Sequence, residues 1–308
     1  MPVSDTTLAG SSASRPSFQG IGIARATYWW FLAPATTLAV LLVILPLVAL
    51  IVMTFLRWNL TESPIPAFAG VDNYLRLFAD GAFWASVGRT LVFTAESIIL
   101  QLALGIAIAV LFNRDWFGMG VIRALFLAPM MVAPIFAGMI WRLLFSDDFG
   151  LIRYVILLLG FEQAPLWLGD PNIALQAVII VNVWQWTAFV VLFILAGLQV
   201  ISPDLYEAAT IDGAGPWTRF WKITIPLLSP IIIAVIIFRA IDAMKVLDIV
   251  YVLTAGGPGN STETVSYRVY QTGITFFELG YASTMALFVL LTVFVMAYLL
   301  LLAGRKRS

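Results

Sequence analysis

The chain has 308 residues, 61% of them hydrophobic and only 11% charged, with 17 Lys+Arg against 17 Asp+Glu and a mean hydropathy of +0.98. A soluble domain carries about 25% charged residues, so the deficit, together with apolar runs of roughly 20 residues, predicts an all-α polytopic membrane protein. Zero net charge excludes a nucleic-acid partner, and the absence of Cys and His removes disulfides, thiol chemistry, a histidine base and the usual zinc ligand sets.

Residues 1–27 are rich in Ser, Thr, Gly and Pro and carry Arg15 and Arg25. The apolar run that follows is too long for a signal-peptide core, so residues 1–27 are expected to be a cytoplasmic N-terminal tail. The run itself, over 29–55, is read as a retained first span containing Pro34 and Pro46, with Trp29, Trp30 and Trp58 near the interfaces. Residues 56–88 read as a polar connection with Pro64, Pro66 and Gly70. Span two is expected over 90–112, a tight turn at Asn113-Arg114-Asp115, and span three over 121–145. The stretch 150–160, interrupted by Arg153, reads as a helix lying at the surface. Spans four, five and six are expected over 173–198, 223–243 and 282–303.

An even number of spans puts both termini on one side. The run Arg305-Lys306-Arg307 after span six marks that side as cytoplasmic, and Arg114, Arg123, Arg219 and Lys222 fall on it. Arg57, Arg76, Arg142, Arg153, Lys245 and Arg268 fall on the other side. The organisation that follows is one transmembrane domain over 28–303 and a basic cytoplasmic end at 304–308. Gly-x-x-x-x-Gly-Lys-Ser/Thr is absent from the chain, so no phosphate-cradling loop is expected in it.

Between spans four and five, residues 202–215 form a short polar amphipathic segment. Ser202 can cap a helix, Pro203 suits its first position, and Asp204 places negative charge in the first turn. Leu205, Ala208, Ala209 and Ile211 make a compact apolar side, with Glu207 and Asp212 at its edges and Gly213 and Gly215 to end the helix. A plain interfacial connector is the alternative. Continued through Phe220, Pro226 and Pro230, the stretch reads E-A-A-x-x-D-G-A-x-x-x-x-x-F-x-x-x-x-x-P-x-x-x-P.

This pattern resembles the cytoplasmic coupling loop of binding-protein-dependent ABC importer permeases. A second set, Asp248 through Pro258 with Thr262, Thr264, Tyr270 and Gly280-Tyr281-Ala282-Ser283, is similar to the maltose-type carbohydrate permeases. Weaker echoes are Phe68-x-Gly70-x-x-Asn73-Tyr74, Trp141 and Phe149-Gly150; together the likeness covers roughly residues 30–303. It implies the six-helix type I ABC importer permease fold, a bacterial or archaeal inner-membrane location and a non-catalytic translocation role. It also implies a second homologous permease, an ABC ATPase dimer that carries MgATP, and an extracytoplasmic solute-binding protein. By the same likeness Glu207, Ala208, Ala209, Asp212, Gly213 and Ala214 would couple to the ATPase. The chain lacks the large periplasmic insertion of the enterobacterial maltose permease, which removes maltose as a favoured solute.

A neutral, hydroxyl-rich solute wants aromatic faces and a few hydrogen-bonding groups inside a cavity, and polar side chains within spans mark such places. Asn182, Gln185 and Trp186 in span four, Glu96 and Gln101 in span two, and Asp242 in span five are the candidates. For Asn182 and Gln185 the alternative is hydrogen bonding to a partner permease. Arg239, Asp242 and Lys245, at intervals of three, can form an intrahelical ion network. Thr254, Gly256, Gly257 and Pro258 read either as the rim of an outer mouth or as a plain reversing turn. Glycerol phosphate, requiring a cation such as Arg89, Arg239 or Lys245, is an alternative solute. An ion-coupled secondary transporter using Glu96 or Asp242 is a further alternative, although no internal repeat supports it.

Overall fold

The computed structural model describes residues 25–114 and 116–305; the expected tail over 1–24, Asp115 and the basic residues after 305 lie outside the described residues. The fold is almost wholly helical, and the chain divides into two units, residues 1–49 and 50–308. The first unit holds α1 (Arg25–Ala39), a π-helical turn (Val40–Ile44) and the start of α2 (Leu45–Thr54). The π turn sits just ahead of Pro46, whose ring displaces the carbonyl four residues back. A second π turn, Phe220–Thr224, precedes Pro226 at the same offset.

In the second unit a two-residue pair, β1 (Leu56–Arg57) and β2 (Ala67–Phe68), leads to α3 (Asp72–Ala79) and α4 (Gly81–Phe112). The connection 56–88 is therefore shorter than its polarity implies. Asp80 accepts from the Ala82 and Phe83 N–H groups and starts α4 nine residues before 90. Asn73 donates to the carbonyls of Thr54 and Leu56, both at 2.9 Å, and Tyr74 bonds the Thr54 hydroxyl at 2.7 Å. Those bonds account for the Asn73-Tyr74 pair, which fastens α3 under the end of α2.

The third span expected over 121–145 is two helices, α5 (Met119–Met131) and α6 (Pro134–Leu144), bent by 97° at the break. Val132 and Ala133 are extended, with ψ near 130° and 137°, because residues ahead of a proline avoid helical angles. Then come α7 (Leu151–Leu158), which buries no residue, and α8 (Ala174–Val200), the most enclosed helix. After α8 the chain forms α9 (Pro203–Ile211), α10 (Pro216–Arg219), α11 (Ile225–Ala243), α12 (Asp248–Leu253), α13 (Val265–Tyr270) and α14 (Leu279–Arg305). Among the described residues five helices are long and apolar enough to cross a membrane, and six if the bent pair is one span.

Packing fixes the helix directions. Ala109 and Phe112 of α4 share a core with Ile194, Leu195 and Leu198 of α8 and Leu228 of α11. The C-terminal ends of α4 and α8 thus lie together, beside the start of α11, and α9 emerges from that end. At the opposite end Leu77, Phe83, Val265, Tyr281 and Met285 form a smaller core. Above it Arg268 bridges Asp80 at 3.1 Å and Glu263 at 2.9 Å, while Tyr281 donates to Asp80 at 2.7 Å. Gly280 belongs to this clasp for steric reasons: any Cβ there would strike the Leu56 carbonyl.

Candidate functional site

The segment α9 is built as its composition dictates. The Ser202 hydroxyl accepts from the Asp204 N–H at 3.3 Å, and Pro203 occupies the first turn. At the far end Gly213 has φ of +80°, the Gly213 N–H returns to the Thr210 carbonyl at 3.0 Å, and the Ala214 N–H reaches the Ala209 carbonyl at 2.8 Å. This closure satisfies carbonyls that a helix end leaves open, and it needs a residue without a Cβ penalty. Two bonds tie α9 to the next elements: Arg219 donates to the Thr210 hydroxyl at 2.7 Å, and the Tyr206 and Thr224 hydroxyls meet at 3.0 Å. No residue of α9 is buried, and Ile211 is 87% exposed. Glu207, Ala208, Asp212 and Gly213 are exposed, while Ala209 and Ala214 are half-buried.

Three transmembrane helices meet around one buried polar cluster. Gln101 of α4 donates to the Asn182 side-chain oxygen at 2.9 Å and to its carbonyl at 3.3 Å. Arg239 of α11 donates from Nε to Gln101 at 2.9 Å, from Nη2 to Asn182 at 3.3 Å and from Nη1 to Asp242 at 2.7 Å. Its guanidinium also lies 4.6 Å from the Trp186 ring centroid. Arg239 is 3% exposed and Gln101 is fully buried. Such a charge is tolerable in the membrane interior only with this degree of pairing.

In front of the cluster is a cavity of about 240 Å³, lined by Pro134, Asn182, Trp186, Asp242, Lys245 and Asp248 among others. The expected set is thus divided. Asn182, Trp186 and Asp242 reach the cavity. Gln101 lies behind them with both ends engaged. Gln185 points elsewhere: its amide donates at 2.7 Å to the Val132 carbonyl, freed by the break between α5 and α6. Glu96 makes no hydrogen bond or ion pair with a described residue and does not line the cavity. Arg239 completes the cluster through the i, i+3 pair with Asp242, the ion network its spacing implies. Lys245 extends the row without joining it. The part of Pro134 was not legible, since only the bend brings it beside Asn182.

The stretch Thr254–Pro258 is a self-bonded turn. The Thr254 and Thr262 hydroxyls meet at 2.7 Å, and Thr262 donates to the Gly257 carbonyl at 2.8 Å. Ala255 and Gly256 take positive φ, Gly256 is buried against Tyr267, and the Gly257–Pro258 peptide is cis. Beside it opens a wider recess of about 740 Å³, where Arg142 donates to the Val252 carbonyl at 3.0 Å.

A family model described as the binding-protein-dependent transport system inner membrane component matches residues 101–308. The trehalose/maltose transport system permease protein MalF of Thermococcus litoralis is 39% identical over 269 residues, covering 86% of this chain and 90% of that one. The sulfoquinovosyl glycerol transport system permease protein SmoG of Agrobacterium fabrum is 38% identical, covering 83% and 82%. Among solved structures, a chain of a bacterial ABC transporter involved in import of the acidic polysaccharide alginate superposes with a TM-score of 0.79 at 20% identity, covering 91% and 95%. That last likeness concerns the fold. The family match over two thirds of the chain, and relatives at this identity over most of it, place the protein in the family of binding-protein-dependent transport system inner membrane components.

Proposed function

We propose that this chain is the translocation subunit of an ATP-driven importer whose solute is a sugar, oligosaccharide or polyol, with no covalent chemistry of its own. The observation that carries the reading is α9. A capped, closed helix between two long spans, with no buried residue and an outward apolar side, is an element that only a partner can complete. The partner is an ABC ATPase dimer that binds MgATP; a second homologous permease and an extracytoplasmic solute-binding protein complete the assembly. The α9 end, which also carries Arg123, Arg219 and Lys222, is the cytoplasmic side, so both termini are cytoplasmic. The solute occupies the cavity at Asn182, Trp186 and Asp242. Relatives named for carbohydrate transport support a sugar-like solute. Binding of MgATP and closure of the ATPase would move α9, and the solute shifts the resulting equilibrium only by binding one state better than another.

Reconstitution tests this directly. The chain alone in liposomes should neither hydrolyse ATP nor accumulate solute, and the assembly with ATPase, second permease and binding protein should do both. Uptake by the chain alone, driven by a proton or sodium gradient, refutes the reading.

A further inference from the structure

The cavity has two charges of each sign around it: Arg239 and Lys245 against Asp242 and Asp248. They are not equivalent. Lys245 and Asp248 are exposed and free to be screened, whereas Arg239 is 3% exposed and cannot leave. A buried guanidinium beside a solute cavity is ordinarily a site for carboxylate or phosphate, because its fork matches two anionic oxygens. Here that fork is already engaged. Nη1 is held by Asp242 at 2.7 Å, Nε and Nη2 are turned to Gln101 and Asn182, and the guanidinium lies over Trp186. The Asp242 side chain is 47% exposed and lines the cavity, so a carboxylate that already cancels the cation is what the solute meets.

We propose that Arg239 is a masked cation and Asp242 its mask, so that the cavity presents no net charge and selects an uncharged carbohydrate over uronates and sugar phosphates. This rests on the assignment of the cavity to the solute and narrows its class. Overall similarity does not supply that choice, since relatives named for trehalose/maltose and for sulfoquinovosyl glycerol stand at 39% and 38% identity. The glycerol-phosphate alternative needed a bare cation. Arg239 is cancelled in place, Arg89 donates to the Glu263 carbonyl at 2.9 Å, away from the cavity, and Lys245, exposed at the cavity, has Asp248 on the same lining as its counter-charge. Trp186 serves as the local reporter, because it touches both the cation and the cavity.

The test uses quenching of Trp186 in the reconstituted complex, isolated by difference from Trp186→Phe, with anionic iodide and neutral acrylamide as probes. Asp242→Asn should raise the iodide quenching constant roughly threefold to fivefold, the local anion enrichment expected from one uncovered charge, and leave acrylamide unchanged. Arg239→Gln with Asp242→Asn should return iodide to the wild-type value. Asp242→Asn leaves a buried guanidinium unpaired and destabilises folding, so Arg239→Gln alone provides a second reading. It uncovers the carboxylate and should lower iodide quenching below wild type. At least one of a panel of neutral mono- and disaccharides should protect wild-type Trp186 from acrylamide, and the phosphorylated form of that sugar should protect it only in Asp242→Asn. An unchanged iodide response in Asp242→Asn and Arg239→Gln, or equal protection of wild type by the neutral sugar and its phosphate, overturns the masked cation. Failure of every neutral sugar in the panel to protect, with iodide responding as stated, instead removes the solute from this cavity.

Discussion

Replacing Gly213 by Ala isolates the backbone requirement of α9 from every contact. Gly213 has φ of +80°, and a Cβ built there meets nothing within 4 Å, so the substitution creates no clash within the chain. What remains is the cost of a left-handed angle for a residue with a Cβ, about 1–2 kcal/mol. If the chain relaxes instead, the 3.0 Å bond to Thr210 and the 2.8 Å bond from Ala214 to Ala209 are lost, and the end of α9 opens. Either way the equilibrium constant for the closed form falls roughly fivefold to thirtyfold, since 1.4 kcal/mol is about a factor of ten. Gly215 is the internal control. It also has open space around it, but its φ of −67° and ψ of 167° suit any residue ahead of Pro216. Uptake by the reconstituted assembly at matched protein level should therefore fall in Gly213→Ala, by up to about fivefold to thirtyfold, and by less than about twofold in Gly215→Ala. Gly213→Val should fall further, being β-branched. Full transport by Gly213→Ala refutes the backbone argument. Equal loss in both alanine variants means that crowding against the ATPase, not φ, is what the glycines avoid.

Glu207→Lys reverses an exposed charge on α9 without touching membrane surface; insertion should be unchanged, while co-purification of the ATPase and uptake both fall, and undiminished co-purification with full uptake counts against docking through this face. Trp186→Ala removes a ring that borders the cavity and lies over Arg239, so half-maximal solute stimulation of ATPase activity should need roughly fivefold to thirtyfold more solute, equivalent to about 1–2 kcal/mol. Asn182→Ala should act differently, lowering the thermal stability of the complex by about 1–3 kcal/mol because donors of Gln101 and Arg239 lose their acceptor in a buried setting. At the opposite end burial raises the Asp80 carboxyl, but the Tyr281 hydroxyl, the Phe83 N–H and Arg268 outweigh it and hold it below its ordinary 3.8. A depressed folded-state value stabilises above 3.8 and is lost as pH falls through it. The stability difference between wild type and Asp80→Asn should thus be flat near neutrality and shrink only below 3.8.

What the sequence discloses is what depends on local chemistry. The cap at Ser202, the stop at Gly213 and the apolar lengths of α4, α8, α11 and α14 follow from residue type and spacing, and the structure places them accordingly. The likeness at Asn73-Tyr74 and at Gly280 has a tertiary cause that the sequence alone does not show: bonds to the end of α2 and a close approach to Leu56. Failures arise where a polar residue serves another segment. Gln185 resembles a solute contact by type and depth, yet its partner is the Val132 carbonyl, which exists as an acceptor only because Pro134 breaks the helix. Hydropathy reads 121–145 as one run, since Pro129 and Pro134 sit in apolar sequence, and a 97° bend leaves no mark on composition. Gln101 differs from its expected place for the converse reason: it lies beside the cavity residues, but Arg239 and Asn182 consume its hydrogen bonds.

The positions of α9 and the polar cluster link the two halves of the proposed mechanism. The α9 segment lies between α8 and α11, and these same helices supply Asn182 and Arg239. From Val200 back to Asn182 is roughly 27 Å along α8, and from Ile225 to Arg239 roughly 21 Å along α11, at 1.5 Å per residue. Both helices are apolar and packed together through Leu228, Val235, Val191 and Ile194, so bending of either alone opens voids, Pro230 being the point at which α11 lacks a backbone hydrogen bond. Among the described residues one hydrogen bond joins them, a long one of 3.3 Å from Nη2 of Arg239 to Asn182, beside the Arg239–Trp186 cation–π contact. Gln101 spans the same gap from α4, with shorter bonds of 2.9 Å to each. A force applied at α9 therefore meets its first adjustable contact at the cavity. Trp186 and Asp242 flank that contact, and a solute held between them would sense, and oppose or favour, the displacement of α11 against α8.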